Sequence, residues 1–70
     1  MKVYFSNANK DECFLATCND DNQVFEVIKE FCYERDYNIP YFRCWEKDVD
    51  GNKRTWYDVG SWSEFFFVEK

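Results

Sequence analysis

Histidine is absent from this chain of 70 residues, glycine occurs twice and proline once. Without histidine no Ser–His or Cys–His dyad can form, and the side chain best suited to proton transfer near neutral pH is missing. With only Gly51 and Gly60, no glycine-rich loop can cradle a phosphate. Carboxylates alone can serve a glycosidase or a metal-dependent nuclease, but such enzymes need a cleft that so short a chain rarely encloses. The expectation is a non-enzymatic protein with no cofactor. No apolar run approaches the roughly 18 residues of a membrane span. Met1-Lys2-Val3-Tyr4-Phe5 also lacks the extended apolar centre of a secretory signal. A cytoplasmic protein with no membrane engagement is expected, and the abundance of Asn, Lys, Asp, Phe and Tyr over Ala, Gly and Pro suits an AT-rich bacterial or phage coding sequence.

Basic residues are also in short supply. Nine Lys and Arg face fourteen Asp and Glu, a net charge of −5. Phosphate backbones repel such a domain, which disfavours direct nucleic-acid binding and favours a protein partner with a basic surface. Solubility alone accounts for the same charge. Cysteines at 13, 18, 32 and 44 contain no C-x-x-C pair, a poor match to the tight knuckles of structural zinc. In a reducing cytosol they read as small apolar residues rather than disulfides. Asp48-Val49-Asp50-Gly51-Asn52 places its glycine fourth rather than sixth, which argues for a hairpin turn over an EF-hand calcium loop.

Aromatic residues are what the chain has in abundance: eight Phe, five Tyr and three Trp. A domain this small buries only about 60% of the surface its unfolded chain exposes, and large rings are the usual remedy. The rings exceed what a two-layer domain can hide, so some are expected outside. Strands are read at Lys2–Phe5 and at Cys13–Cys18, with Phe14, Ala16 and Cys18 on one face. The polar segment between them is a loop. A helix follows, capped by Asp20 with Gln23 in capping-box spacing. Its apolar stripe is Val24, Val27, Ile28 and Phe31, widened by Phe25 and Cys32, and it ends near Asp36, ahead of Pro40.

Tyr41–Lys47 and Arg54–Val59 are strands around the Asp50-Gly51 turn. A two-residue turn would pair Trp45 with Trp56 and Arg43 with Asp58. A three-residue turn with Gly51 as a bulge would pair Glu46 with Arg54 and Cys44 with Trp56. Asp at the first turn position and Gly at the fourth favour the second. Glu64–Val68, apolar on both faces, belongs inside the sheet rather than at its edge. The fold class is α+β, over one domain spanning 1–70 and ending on this buried strand. It is a two-layer sandwich of β-grasp-like or related type in the order β-β-α-β-β-β, with an antiparallel or mixed sheet of four or five strands on one helix.

Trp, Tyr and Arg are enriched in binding hot spots. The candidate protein-binding constellation is Arg43, Trp45, Glu46, Asp48, Asp50, Trp56, Asp58 and Trp62, with Tyr41 and Tyr57 beside it. It is an aromatic patch rimmed by acids and suited to a basic groove. The alternative is that these rings are core and cross-strand pairs. Base stacking on the sheet lacks the positive groove it needs.

The ending Tyr57-Asp58-Val59-Gly60-Ser61-Trp62-Ser63-Glu64-Phe65-Phe66 resembles that of small uncharacterised proteins carried by phages and mobile elements of low-GC Gram-positive bacteria. The resemblance covers these ten residues, and Trp62 stands where that pattern has a polar residue, often histidine. No functional residue is carried over. The resemblance implies an inhibitor of a host defence or nucleic-acid-processing enzyme, akin to anti-CRISPR and anti-restriction proteins, some of which occupy a nucleic-acid groove with ordered carboxylates. The alternative function is a small structural or assembly accessory protein that buries its surplus rings in a homodimer or larger homo-oligomer.

Overall fold

The computed structural model describes residues 1–36, 42–60 and 63–69. Six elements follow in the expected order: β1 (Lys2–Ser6), β2 (Glu12–Thr17), α1 (Asp21–Glu34), β3 (Arg43–Val49), β4 (Asn52–Asp58) and β5 (Phe65–Glu69). The helix begins where its cap dictates. The Asp20 carboxylate accepts from the Gln23 N–H at 2.9 Å, while the Gln23 side chain reaches one residue past the cap to the Asn19 N–H at 2.7 Å. The first bond satisfies a donor that the helix start leaves open, and the second ties the residue before the cap to the first turn. At the other end Asp36 takes φ 56°, and the N–H groups of Arg35 and Asp36 close onto the carbonyls of Cys32 and Tyr33. The Asn38–Pro40 stop signal and Tyr41 lie outside the described residues.

The five strands form one sheet in the order β2-β1-β5-β4-β3, antiparallel at every pairing. β5 sits in the middle, between β1 and β4, as its two-sided apolar character demands. The β3–β4 register corrects the favoured reading of the turn. Trp45 faces Trp56, Arg43 faces Asp58 and Val49 faces Asn52 around a two-residue turn. Asp50 and Gly51 both take positive φ, 53° and 82°. That is a type I′ turn, whose twist matches the flanking strands, and this match outweighs the type I preference of Asp and Gly at the turn's ends.

α1 covers one face of the sheet. Val24, Ile28 and Cys32 are fully buried against Val3, Phe5, Phe66, Val68 and Tyr57, with Val27 and Phe31 half-buried beside them. β2 departs from strict alternation. A register shift between Val3 and Tyr4 leaves Leu15 as an extra residue, so Leu15 and Ala16 both pack on the core and Phe14 turns to the opposite face. The expected common face for Phe14, Ala16 and Cys18 is thereby broken, because one inserted residue reverses every side chain beyond it.

Candidate binding face

Among the described residues the other face of the sheet carries no helix, and alternation gathers rings there from five strands. Phe14 meets Tyr4 edge-on at 5.6 Å, and Tyr4 stacks on Phe67 at 4.9 Å with planes 12° apart. Phe67 contacts Trp56 at 4.9 Å, and Phe65 stands edge-on to both Trp56 and Trp45, at 6.4 and 6.1 Å. The result is a continuous aromatic row from one sheet edge to the other. Its centre, Phe67, is fully buried, whereas the terminal rings are open: Phe14 is 52% and Trp45 37% exposed.

Arg54 roofs the middle of this row. Its guanidinium lies 4.2 Å from the Phe67 ring centre and is held by Glu12 at 2.9 Å and Glu69 at 3.0 Å. Burial by itself would lower the pKa of Arg54, but the hydrogen bonds and charges of Glu12 and Glu69 outweigh it and hold it above its ordinary value. At the open end of the hairpin, farthest from the turn, Arg43 bonds Asp58 at 2.9 Å and lies 5.8 Å from the Trp45 ring centre, while Asp58 also accepts the Gly60 N–H at 2.8 Å. Between the hairpin and the β1–β2 loop the face sinks into an open concavity of about 410 Å³, floored by Trp45, Trp56 and Phe65 and edged by Lys10, Lys47 and Arg54. Lys10 and Lys47 make no ion pair among the described residues. The indole N–H of Trp56 is buried without an acceptor among the described residues.

The proposed constellation is divided by this geometry. Arg43, Trp45, Trp56 and Asp58 share the open face, as directly paired residues must. Glu46 and Asp48 alternate with Trp45 and Lys47 along β3, so they project from the opposite face, and Asp50 occupies the turn. Trp62 lies outside the described residues. The expected acidic rim is therefore replaced, around the concavity, by Lys10, Lys47 and Arg54 with Glu12 as the one acid. Tyr57 and Asp58, expected outward, are only 8% and 4% exposed. Tyr57 packs on the helical side, where burial pushes its phenol pKa up, with the charges of Asp21 and Cys44 adding to it.

Sequence reasoning missed Tyr4, Phe14, Phe65, Phe67 and Arg54. Their signal was period-2 alternation, but only the β4–β5 and β1–β5 pairings show which faces coincide. Cysteines also split. Cys18 and Cys32 are buried apolar residues, and desolvation raises the Cys32 pKa, but Cys13 and Cys44 are exposed. Among the described residues no helix is long and apolar enough to cross a membrane. Comparisons with family models, curated proteins and solved structures gave no match.

Proposed function

We propose that this chain is a small non-enzymatic binding protein that docks on another protein through the helix-free face of its sheet. The observation that carries this reading is the one-sided cover: a single helix packs one face, while an aromatic row crosses the other and ends in exposed Phe14 and Trp45. Trp and Arg near such a patch are the residue types on which interface energy concentrates. The narrower reading is a phage- or mobile-element-encoded inhibitor of a host defence or nucleic-acid-processing enzyme. It is supported by the resemblance of residues 57–66 and by the net charge of −5. Many of the acids, Asp20, Asp21, Glu26, Glu30 and Glu34 among them, belong to the exposed helical side, away from the docking face, where they would draw a basic, nucleic-acid-handling partner toward the domain at long range rather than contact it on that face.

Affinity capture from host cells, followed by titration of the purified captured protein, tests the docking face. The Phe14→Ala/Trp45→Ala double variant should bind at least about tenfold more weakly, as expected for two interface anchors. Tyr33→Ala, 83% exposed on the helix, should bind like the native chain. A stoichiometric complex indifferent to Phe14 and Trp45 overturns the assignment. The same exposed rings favour a second reading, a homo-oligomer closed through the open face. Light scattering decides it: a concentration-dependent dimer that the double variant abolishes supports self-association, and a native monomer at all concentrations removes it.

A further inference from the structure

The two edges of the sheet are built differently. β3, at one edge, carries Arg43, Glu46, Lys47 and Asp48 along its length, and charges of this kind discourage another strand from pairing there. β2, at the other edge, carries one charge at its first residue, Glu12, and then runs Cys13-Phe14-Leu15-Ala16-Thr17 with neither a charge nor a proline. Its main chain retains pairing capacity, the Phe14 carbonyl being engaged by the weak Cys13 thiol donor at 3.8 Å. Met1 and Cys18 exchange both of their hydrogen bonds, at 2.7 and 3.0 Å. Alternation from that pair turns the N–H and C=O groups of Thr17 outward and, past the bulge, those of Phe14.

Alongside this edge runs a groove shared with the helix. Leu15, Ala16, Val27 and Phe31, all half-buried, line one stretch of it, and Thr17, Cys18 and Gln23 continue it toward the helix N-terminus. Glu26, Glu30 and Glu34 stand along it at successive helical turns. Lys29 engages Glu26 at 3.5 Å, but Glu30 and Glu34 make no ion pair among the described residues. Arg35 is occupied by the Phe5 and Phe31 rings, 5.4 and 4.5 Å from their centres.

From these observations we infer a second interaction surface: the β2 edge and its groove take an extended, basic segment of a partner protein as an added strand. Main-chain bonds to Phe14 and Thr17 supply the pairing. Alternate apolar side chains enter the groove over Leu15, Ala16 and Val27, and Lys or Arg side chains meet Glu30 and Glu34. A single flexible segment fits better than a second copy of this sheet. The bulge at Leu15 interrupts the flat pairing that two rigid edges require, and two copies, each with a net charge of −5, repel one another.

The test uses the full chain and synthetic peptides: one alternating lysine with valine, its twin alternating glutamate with valine, and a lysine–valine peptide interrupted by proline. NMR shifts and amide hydrogen exchange of β2 and α1 are read during titration. The lysine–valine peptide should bind and slow exchange of the Phe14 and Thr17 amides, and the other two should not. Glu30→Gln/Glu34→Gln, two exposed positions whose change leaves the fold intact, should weaken it about fivefold, in line with two surface charge pairs. Binding should also weaken as salt is raised. Equal affinity for the glutamate–valine peptide, shifts confined to the aromatic face, or no binding at all would overturn the inference. Concentration-dependent protection of the same amides without peptide would overturn it in favour of self-pairing. Because Trp45 lies on β3 at the opposite edge, Trp45→Ala alone should weaken docking on the aromatic face and leave peptide binding unchanged, so the two surfaces stand or fall separately.

Discussion

The two faces of the sheet hold their hydrophobic residues by different means. Under the helix, mostly aliphatic side chains and Phe5 and Phe66 interdigitate with Val24, Ile28 and Cys32, and nearly every one is removed from water. On the open face the described residues form no second layer, so the rings cover one another and a paired arginine caps them. Phe67 is as fully buried there as Ile28 is beneath the helix. A layer of secondary structure is thus not the only way to exclude water. Large flat side chains and one amphipathic cation can do so locally, at the cost of leaving the ends of the row open.

Truncating the central ring on each side gives the most severe test of this equivalence. Phe66→Ala and Phe67→Ala should each cost about 3–5 kcal/mol by chemical denaturation, enough to threaten folding of so small a domain. A Phe67→Ala loss below about half that of Phe66→Ala would show that the aromatic roof is a looser cover than the helix. Arg54→Ala comes next. It removes the cap over Phe67 and leaves Glu12 and Glu69 uncompensated, with an expected loss of about 1–3 kcal/mol. A loss unchanged when the same denaturation is repeated on Arg54→Met would show that the charges matter more than the covering stem.

On the helical side, Asp20→Ala should cost about 1 kcal/mol, since it deletes the bond to the Gln23 N–H. Trp fluorescence from the open face should report the same midpoint as helical circular dichroism, because the two faces share every strand. Separate midpoints would make them independent units. The smallest effect is expected from pH. Cys32 and Tyr57, both on the covered face, have pKa values raised by burial from ordinary values of 9.0 and 10.0. A raised folded value gives stability that is complete below the unfolded pKa and lost as pH climbs through the folded one. Stability should therefore hold to about pH 8.5 and decline above it, and Tyr57→Phe should flatten the upper part of the decline. An unchanged alkaline slope in that variant would mean that Tyr57 ionises as freely in the fold as in the unfolded chain.

Much of the fold was legible because local signals agreed with it. Asp20 and the 3.6-residue stripe from Val24 to Phe31 placed the helix, and the apolar run Phe65–Val68 implied a central strand. The binding face was only half legible. Trp45, Trp56, Arg43 and Asp58 were marked by residue type, and their grouping followed once the register was known. Glu46 and Asp48 were drawn in by nearness in sequence, which on a strand means opposite faces. Tyr4, Phe14 and Phe67 escaped because they reach the same surface from distant strands.

The sequence by itself determined the element types, the single-helix two-layer plan and the central place of β5. Those follow from periodicity, capping and the apolarity of short segments, all of which act over a few residues. Tertiary structure decided the rest. The type I′ geometry at Asp50-Gly51 set the hairpin register, the bulge at Leu15 turned Phe14 outward, and the pairing of β5 with β1 and β4 joined rings from five strands into one row. Face and register depend on single-residue offsets between strands far apart in the chain, and such offsets are fixed only when the whole sheet packs.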